Sequence, residues 1–245
     1  MKKILLFLLM VFPFMVGACS CDNFSLSTYE RASKNFKDST GYEYELVVTT
    51  EIEGQSYYTR DEYKNKYILK TTGEVYNFSS ELKSYNVSNP TSSSPSGSYN
   101  LAYTLYRYYV GEKEKFYTKV KEGNTPEVKD VEDISYDAKY SDDNDKYNTK
   151  NLVPYFTKDQ LTGFQISNAS GKDGYSTAVF TAPVPSYLES DEEVTLYTVT
   201  INKDAYFDEI TFIVVKGEKT TTYEYKFSKF NSNVNIEFPS DLANY

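Results

Sequence analysis

The sequence predicts an α+β fold built on an antiparallel β-sheet meander, with a leading helix and a short internal helical segment against one face. Three observations support this. Runs of strand-like residues recur at about eight to twelve residues, separated by turn signals. Two segments carry apolar residues at helical spacing instead. Strand-like runs also follow one another directly, rather than alternating with helices as parallel βα units would.

Ser27–Lys37 is the predicted helix. Ser27 or Thr28 can cap it, Glu30 stands in capping-box position to Ser27, and Tyr29, Ala32 and Phe36 share one face. Asp38-Ser39-Thr40-Gly41 ends it, and the period changes to two. Tyr42, Tyr44, Leu46, Val48, Thr50 and Ile52 are expected to face the core, with Glu43, Glu45, Glu51 and Glu53 toward water. Gly54 marks a turn, Ser56–Tyr63 and Lys66–Thr71 read as two strands, and Thr72-Gly73-Glu74 turns into Val75–Phe78. Asn89–Ser98 (NPTSSSPSGS) is a low-complexity loop, expected to be mobile. Leu101–Val110 (LAYTLYRYYV) has aromatics on both faces, as a strand covered on both sides would, and Lys115–Val120 pairs with it across Gly111-Glu112.

Residues 121–149 are polar, with acidic clusters at Asp130–Asp133 and Asp142–Asp145. Asn151–Phe164 is the internal helical segment, with Leu152, Val153, Phe156, Leu161 and Phe164 as its apolar positions. Strands return at Ser176–Thr181, Val194–Ile201, Glu209–Lys216, Thr221–Phe230 and Asn233–Phe238. Ile210–Val215 is apolar on both faces, which predicts a central strand.

The first eighteen residues, MKKILLFLLMVFPFMVGA, have the layout of an export signal: a basic start, an apolar stretch and small residues before the cut. Their apolar run, Ile4 to Val16, is about 20 Å long as a helix against a hydrocarbon core of about 30 Å. A processed signal therefore fits better than a membrane span. Val16-Gly17-Ala18-Cys19 resembles the lipobox of bacterial lipoproteins. That resemblance implies cleavage after Ala18, with Gly17 and Ala18 as the flank, and a diacylglycerol on the Cys19 sulfur. The expected organisation is residues 1–18 as signal, 19–26 as lipidated tether, and 27–245 as one antiparallel-sheet domain with the mobile loop 89–98. The location implied is the extracytoplasmic face of the cell membrane.

Composition excludes several activities. Loss of Lys2 and Lys3 with the signal takes the formal charge from −9 to −11. So acidic a chain, with arginine only at 31, 60 and 107, does not suit nucleic acid. Nor does it suit a polybasic membrane surface. Acylation of Cys19 leaves Cys21 as the one thiol, so no intrachain disulfide forms. With no histidine, Ser-His-Asp and Cys-His catalysis and His-containing zinc sites are absent. No catalytic residue, metal site or cofactor is assigned, and the expectation is a protein that is not an enzyme.

The layout of the mature chain is similar to the LolA/LolB and LppX-like lipoprotein carriers. The resemblance rests on the helix Tyr29–Phe36 entering a Tyr-rich strand through Gly41. It rests also on the hairpin Ile201–Phe212 (INKDAYFDEITF), followed by Asn233–Pro239 (NVNIEFP). It implies an unclosed half-barrel whose apolar concavity is lidded by helices and holds a lipid or acyl chain. The chain departs from that family in having no tryptophan, so the family's outer-membrane sorting task does not follow.

The 26 tyrosines and 15 phenylalanines suit either half-buried strands or a binding surface. The candidate ligand residues are Tyr103, Leu105 and Tyr109 opposite Tyr223, Tyr225 and Phe227, with Leu152 and Phe156 from the lid. Asp142-Asp143-Asn144-Asp145 offers oxygens at calcium-loop spacing, but the sixth position is Tyr147 and the twelfth Val153, so the loop motif fails. Asn-x-Ser at Asn23, Asn77, Asn86 and Asn168 carries no weight beside a bacterial lipobox.

Two readings stand. One is a membrane-anchored lipoprotein that binds or carries a lipid or other apolar ligand. The other is a surface interaction or structural lipoprotein with a filled core, which meets a protein or glycan through a Tyr-rich face.

Overall fold

The computed structural model describes residues 24–71, 75–88, 98–112, 115–122, 128–135, 156, 161, 166–172, 175–180 and 193–240, with backbone alone at 115–122, 128–135 and 166–172. One helix, α1 (Leu26–Lys37), precedes the strands β1 (Gly41–Ile52), β2 (Tyr57–Leu69), β3 (Val75–Ser88), β4 (Tyr99–Val110), β5 (Lys115–Glu122) and β6 (Val128–Ser135). The chain continues as β7 (Ile166–Lys172), β8 (Tyr175–Phe180), β9 (Glu193–Ile201), β10 (Phe207–Lys216) and β11 (Lys219–Phe230). All form one sheet in the order β6-β5-β4-β3-β2-β1-β11-β10-β9-β8-β7. Every pairing is antiparallel. Two meanders thus grow outward from the β1–β11 seam, and among the described residues the edges β6 and β7 stay apart. The sheet is unclosed.

Alternation in β1 and β11 explains the seam. Tyr44 pairs with Phe227, Leu46 with Tyr225 and Val48 with Tyr223, so period two puts their rings on one face. We call this the inner face, because it carries α1. The ring ladder continues into β10, where Phe212 stacks on Tyr223 at 4.5 Å between centroids. Such aromatic pairs add about 0.5–1.5 kcal/mol each beyond burial.

The helix is capped two residues earlier than the spacing of Ser27 and Glu30 suggests. Ser25 is the N-cap, and its Oγ accepts from the Thr28 N–H at 3.1 Å. The expected stripe holds: Tyr29, Ala32 and Phe36 are buried. Phe36 packs on Tyr42 at 4.9 Å and on Phe227 at 5.8 Å, while the Tyr29 and Tyr197 hydroxyls meet at 3.0 Å. Ser39 Oγ then donates to the Phe36 carbonyl at 2.7 Å, and the chain enters β1 at Gly41. A β-carbon there would stand 2.7 Å from the Tyr67 carbonyl oxygen, so only glycine lets β1 lie this close to β2.

A tight corner secures this end. Asn231, in the left-handed region at φ 58°, accepts from the Thr40 N–H at 3.0 Å and donates to the Tyr206 hydroxyl at 2.9 Å. The β9–β10 turn is held by Asn202, whose Oδ1 accepts from the Asp204 and Tyr206 N–H groups. Asn35 of α1 donates to the Ala205 carbonyl at 2.9 Å.

Several expectations are corrected. Ser56–Tyr63 and Lys66–Thr71 are one strand, because Asn65 is no turn residue: it is buried in phase with Tyr63 and Tyr67. Strand β3 runs ten residues past Phe78, to Ser88, through polar positions that lie between β2 and β4. Two strands occur where composition reads as loop. Both β6 (VKDVEDIS) and β7 (ISNASGK) are edge strands, which need little apolar surface.

Asn233–Phe238 is not a strand. Asn231 turns the chain through a 3-10 segment, and the following residues leave the sheet. They carry Phe238 to Tyr108 on the outer face of β4, with the rings 6.3 Å apart. Of the internal helical segment 151–164, Phe156 and Leu161 are described and both are buried; the rest lies outside the described residues, as do 89–97 of the predicted loop. Among the described residues no helix is long and apolar enough to cross a membrane.

Candidate binding face

The inner face has two parts. Over β8–β11 it is filled: Phe180, Tyr197, Val199, Phe207 and Ile210 are buried beneath α1. Phe24 meets Phe180 edge-on at 5.8 Å, and Phe156 stands perpendicular to Tyr197 at 4.8 Å.

Over β1–β4 the same face changes character along the strands. Close to the helix end it is a buried aromatic floor. Tyr42 and Tyr67 lie 5.1 Å apart, Tyr44 stacks on Tyr67 at 6.1 Å, and Tyr67 meets Phe78 at 4.8 Å. The Tyr44 hydroxyl is hydrogen-bonded to Tyr67 and Asn65, yet burial dominates and pushes it up to about 12. Burial, with Tyr44 and Tyr42 beside it, raises Tyr67 well above its ordinary value. These hydroxyls stay neutral near physiological pH and serve as hydrogen-bonding groups.

Further along, the register builds an apolar row across the sheet: Leu105 (β4), Leu82 (β3), Tyr63 (β2), Leu46 (β1) and Tyr225 (β11). Leu105, Tyr63 and Leu46 are half-buried, and the neighbouring Tyr103 is 36% exposed. At about 4.8 Å per strand the row spans about 19 Å, comparable to an extended long acyl chain.

Polar groups flank this row. On one side, Ser84 Oγ donates to Asp61 Oδ1 at 2.6 Å. On the other stands Arg107, in register with buried Ser80 and Asn65. The Tyr63 phenol is pushed up to about 12, first by burial, then by Asp61 and Tyr103, with Arg107 opposing. The outer face differs in kind, carrying ion pairs such as Lys229–Glu43 at 3.1 Å and Arg60–Glu62 at 2.9 Å. Among the described residues no group of three His, Cys, Asp or Glu side chains could hold a metal ion.

All six strand residues singled out from the sequence lie on the inner face, but on strands four places apart in the sheet. Tyr103, Leu105 and Tyr223 are accessible, whereas Tyr109 is buried in the core and Tyr225 and Phe227 are buried in the ring ladder. Phe156 is buried over β9. Leu152, Gly17, Ala18 and Cys19 lie outside the described residues. Asp61, Tyr63, Ser84 and Arg107 were not anticipated as part of this face, and Leu46 was expected on it only as core. The available signal was Arg107 itself, a single cation in the otherwise uncharged strand LAYTLYRYYV.

No family model matches the chain, and no curated protein sequence does. Among solved structures, it is similar to LprF from Mycobacterium bovis at 12% identity and TM-score 0.45, covering 87% of this chain and 96% of that one. It is similar to a Pseudomonas aeruginosa MucA/MucB complex at 9% identity and TM-score 0.28, covering 89% of this chain and 59% of that one. A third is a putative outer membrane lipoprotein-sorting protein domain from Vibrio parahaemolyticus, at 8% identity and TM-score 0.25, covering 88% and 93% respectively. At these TM-scores none carries an argument about what this chain does.

Proposed function

We propose that the chain is a non-enzymatic bacterial lipoprotein, held on the extracytoplasmic membrane face through Cys19, whose sheet curls into a half-barrel and binds a lipid or other apolar ligand. The observation that carries the reading is the unequal finish of the inner face. Helix α1, with Phe24 and Phe156, covers it over β8–β11, while Leu105, Tyr63 and Leu46 of the row stay half-buried around the buried Leu82 and beside an exposed tyrosine. An apolar strip of this length, bordered by a few polar groups, has the composition of a small-molecule site.

The test is native mass spectrometry of residues 22–245 from a bacterial host, with lipid extraction. A bound apolar adduct is expected, and a clean apo mass counts against the reading. For the anchor, Cys19→Ala is expected to release the protein from membranes or leave its precursor uncut; membrane retention at mature size overturns that part.

The second reading, a protein or glycan partner on a Tyr-rich face, is favoured by a separate feature. On the outer face Tyr99 is hydrogen-bonded to Tyr58 and edge-on to Tyr85, yet remains 55% exposed. A clean apo mass, with partner binding lost in Tyr99→Ala, would favour it.

A further inference from the structure

We infer that the ligand of the inner face is an amphiphile with an anionic head, a carboxylate or phosphate held by Arg107, with its chain along the Leu105–Leu46 row. This deepens the lipid-binding reading and rests on it.

Asp61 and Arg107 are the two charged side chains that the register places on the inner face of β1–β4. Arg107 forms no ion pair among the described residues, although the chain carries 35 acidic residues against 26 basic ones. Arg60, on the outer face, has Glu62 at 2.9 Å. The in-register neighbours of Arg107 on β3 and β2 are the buried, neutral Ser80 and Asn65. A guanidinium has five donors and no acceptor, and its fork fits carboxylate and phosphate in bidentate fashion. On β2 and β3 the complement that Arg107 lacks is therefore an anion; on the other side its row runs through Thr118 of β5 to Glu132 of β6.

Asp61 sets the direction. It is in register with Tyr103, four residues along β4 from Arg107, or about 13 Å at ~3.3 Å per residue, and two strands away. The apolar row lies between the two charges. An anionic head is drawn to Arg107 and repelled from Asp61, so the chain lies one way round.

The test uses the full chain in membranes of its expressing host, photolabelled with diazirine forms of hexadecanoate, hexadecyl phosphate and uncharged hexadecanol. The two anionic probes are expected to label β1–β4 about tenfold more than hexadecanol, as a charge-assisted contact implies. R107Q should bring them down to the hexadecanol level, and its circular dichroism spectrum and urea midpoint, unchanged from the unaltered chain, report that the variant is folded. R107K should fall between. Equal labelling by hexadecanol and hexadecanoate in the unaltered chain overturns the inference, as does an anion preference that survives R107Q. Loss of that preference in millimolar inorganic phosphate, which would mark a small-anion site, overturns it too. If no probe labels the inner face, the lipid-binding reading itself fails, an outcome distinct from these.

Discussion

The two parts of the inner face use the same residue types and end up differently. Over β9–β11 Tyr197 and Tyr225 are core: Tyr197 is sealed by Tyr29 of α1 and by Phe156, and Tyr225 lies within a ring ladder. Over β2–β4 Tyr63 and Tyr103 keep solvent on one side. Among the described residues, what separates them is the helix, which lies across one set of strands and not the other. Ring content therefore does not distinguish packing from binding here; coverage does.

The largest expected effect breaks the sealed part. Phe36 is 2% exposed and touches the rings of Tyr42, Phe207, Phe227 and Phe230. Phe36→Ala should cost about 3–5 kcal/mol in urea unfolding, by lost transfer energy and the cavity left behind. Tyr103→Ala, on the open part, should cost under about 1 kcal/mol. Similar costs for the two would mean that both parts are equally packed, and the contrast would collapse.

The aromatic floor beneath the open part gives a pH signature. Tyr44 ionises near 10 when unfolded and about 12 when folded, raised chiefly by burial. Because the folded value is higher, the folded state resists ionisation. Its relative stability is intact below about pH 10 and is lost as pH rises toward 12. Two units at one buried phenol correspond to about 2–3 kcal/mol. Thermal melts across pH 8–12 should show the midpoint dropping only above about 10, and Tyr44→Phe should flatten part of that drop. A decline that begins near neutrality would assign the loss to other groups.

How much of this was legible in the sequence follows from where coverage comes from. The helix stripe Tyr29, Ala32, Phe36 and the alternation in β1 and β11 were readable, because one buried face imposes its period on a continuous segment. The gap at Lys64-Asn65 between two expected strands is continuous strand, because the place of a buried asparagine, hydrogen-bonded to Tyr44, is set by neighbours across the sheet and not along the sequence. Tyr103 and Tyr225 were indistinguishable for the same reason. Their difference is made by α1 and the ring ladder, contacts far apart along the chain. Arg107 could be seen as odd, but its place on the inner face depends on the register of β3 and β4.

A smaller effect than that of Phe36→Ala or of Tyr44 ionisation tests whether the corner, apart from the ring contacts, fastens the helix. Asn231 does two separate things: it adopts φ 58°, and its side chain bonds both Thr40 and Tyr206. Asn231→Gly keeps the backbone geometry and loses two hydrogen bonds, which should cost about 1–2 kcal/mol. Asn231→Ala loses the same bonds and adds left-handed strain, about 1 kcal/mol more. If the corner sets the position of α1, both variants should also raise hydrogen exchange in Leu26–Lys37 ahead of global unfolding, while β2–β4 stay protected. Uniform loosening across the sheet would instead show that the ring contacts of Phe36 and Tyr29 hold the helix by themselves. The sealed part would then owe its closure to packing alone, not to the corner.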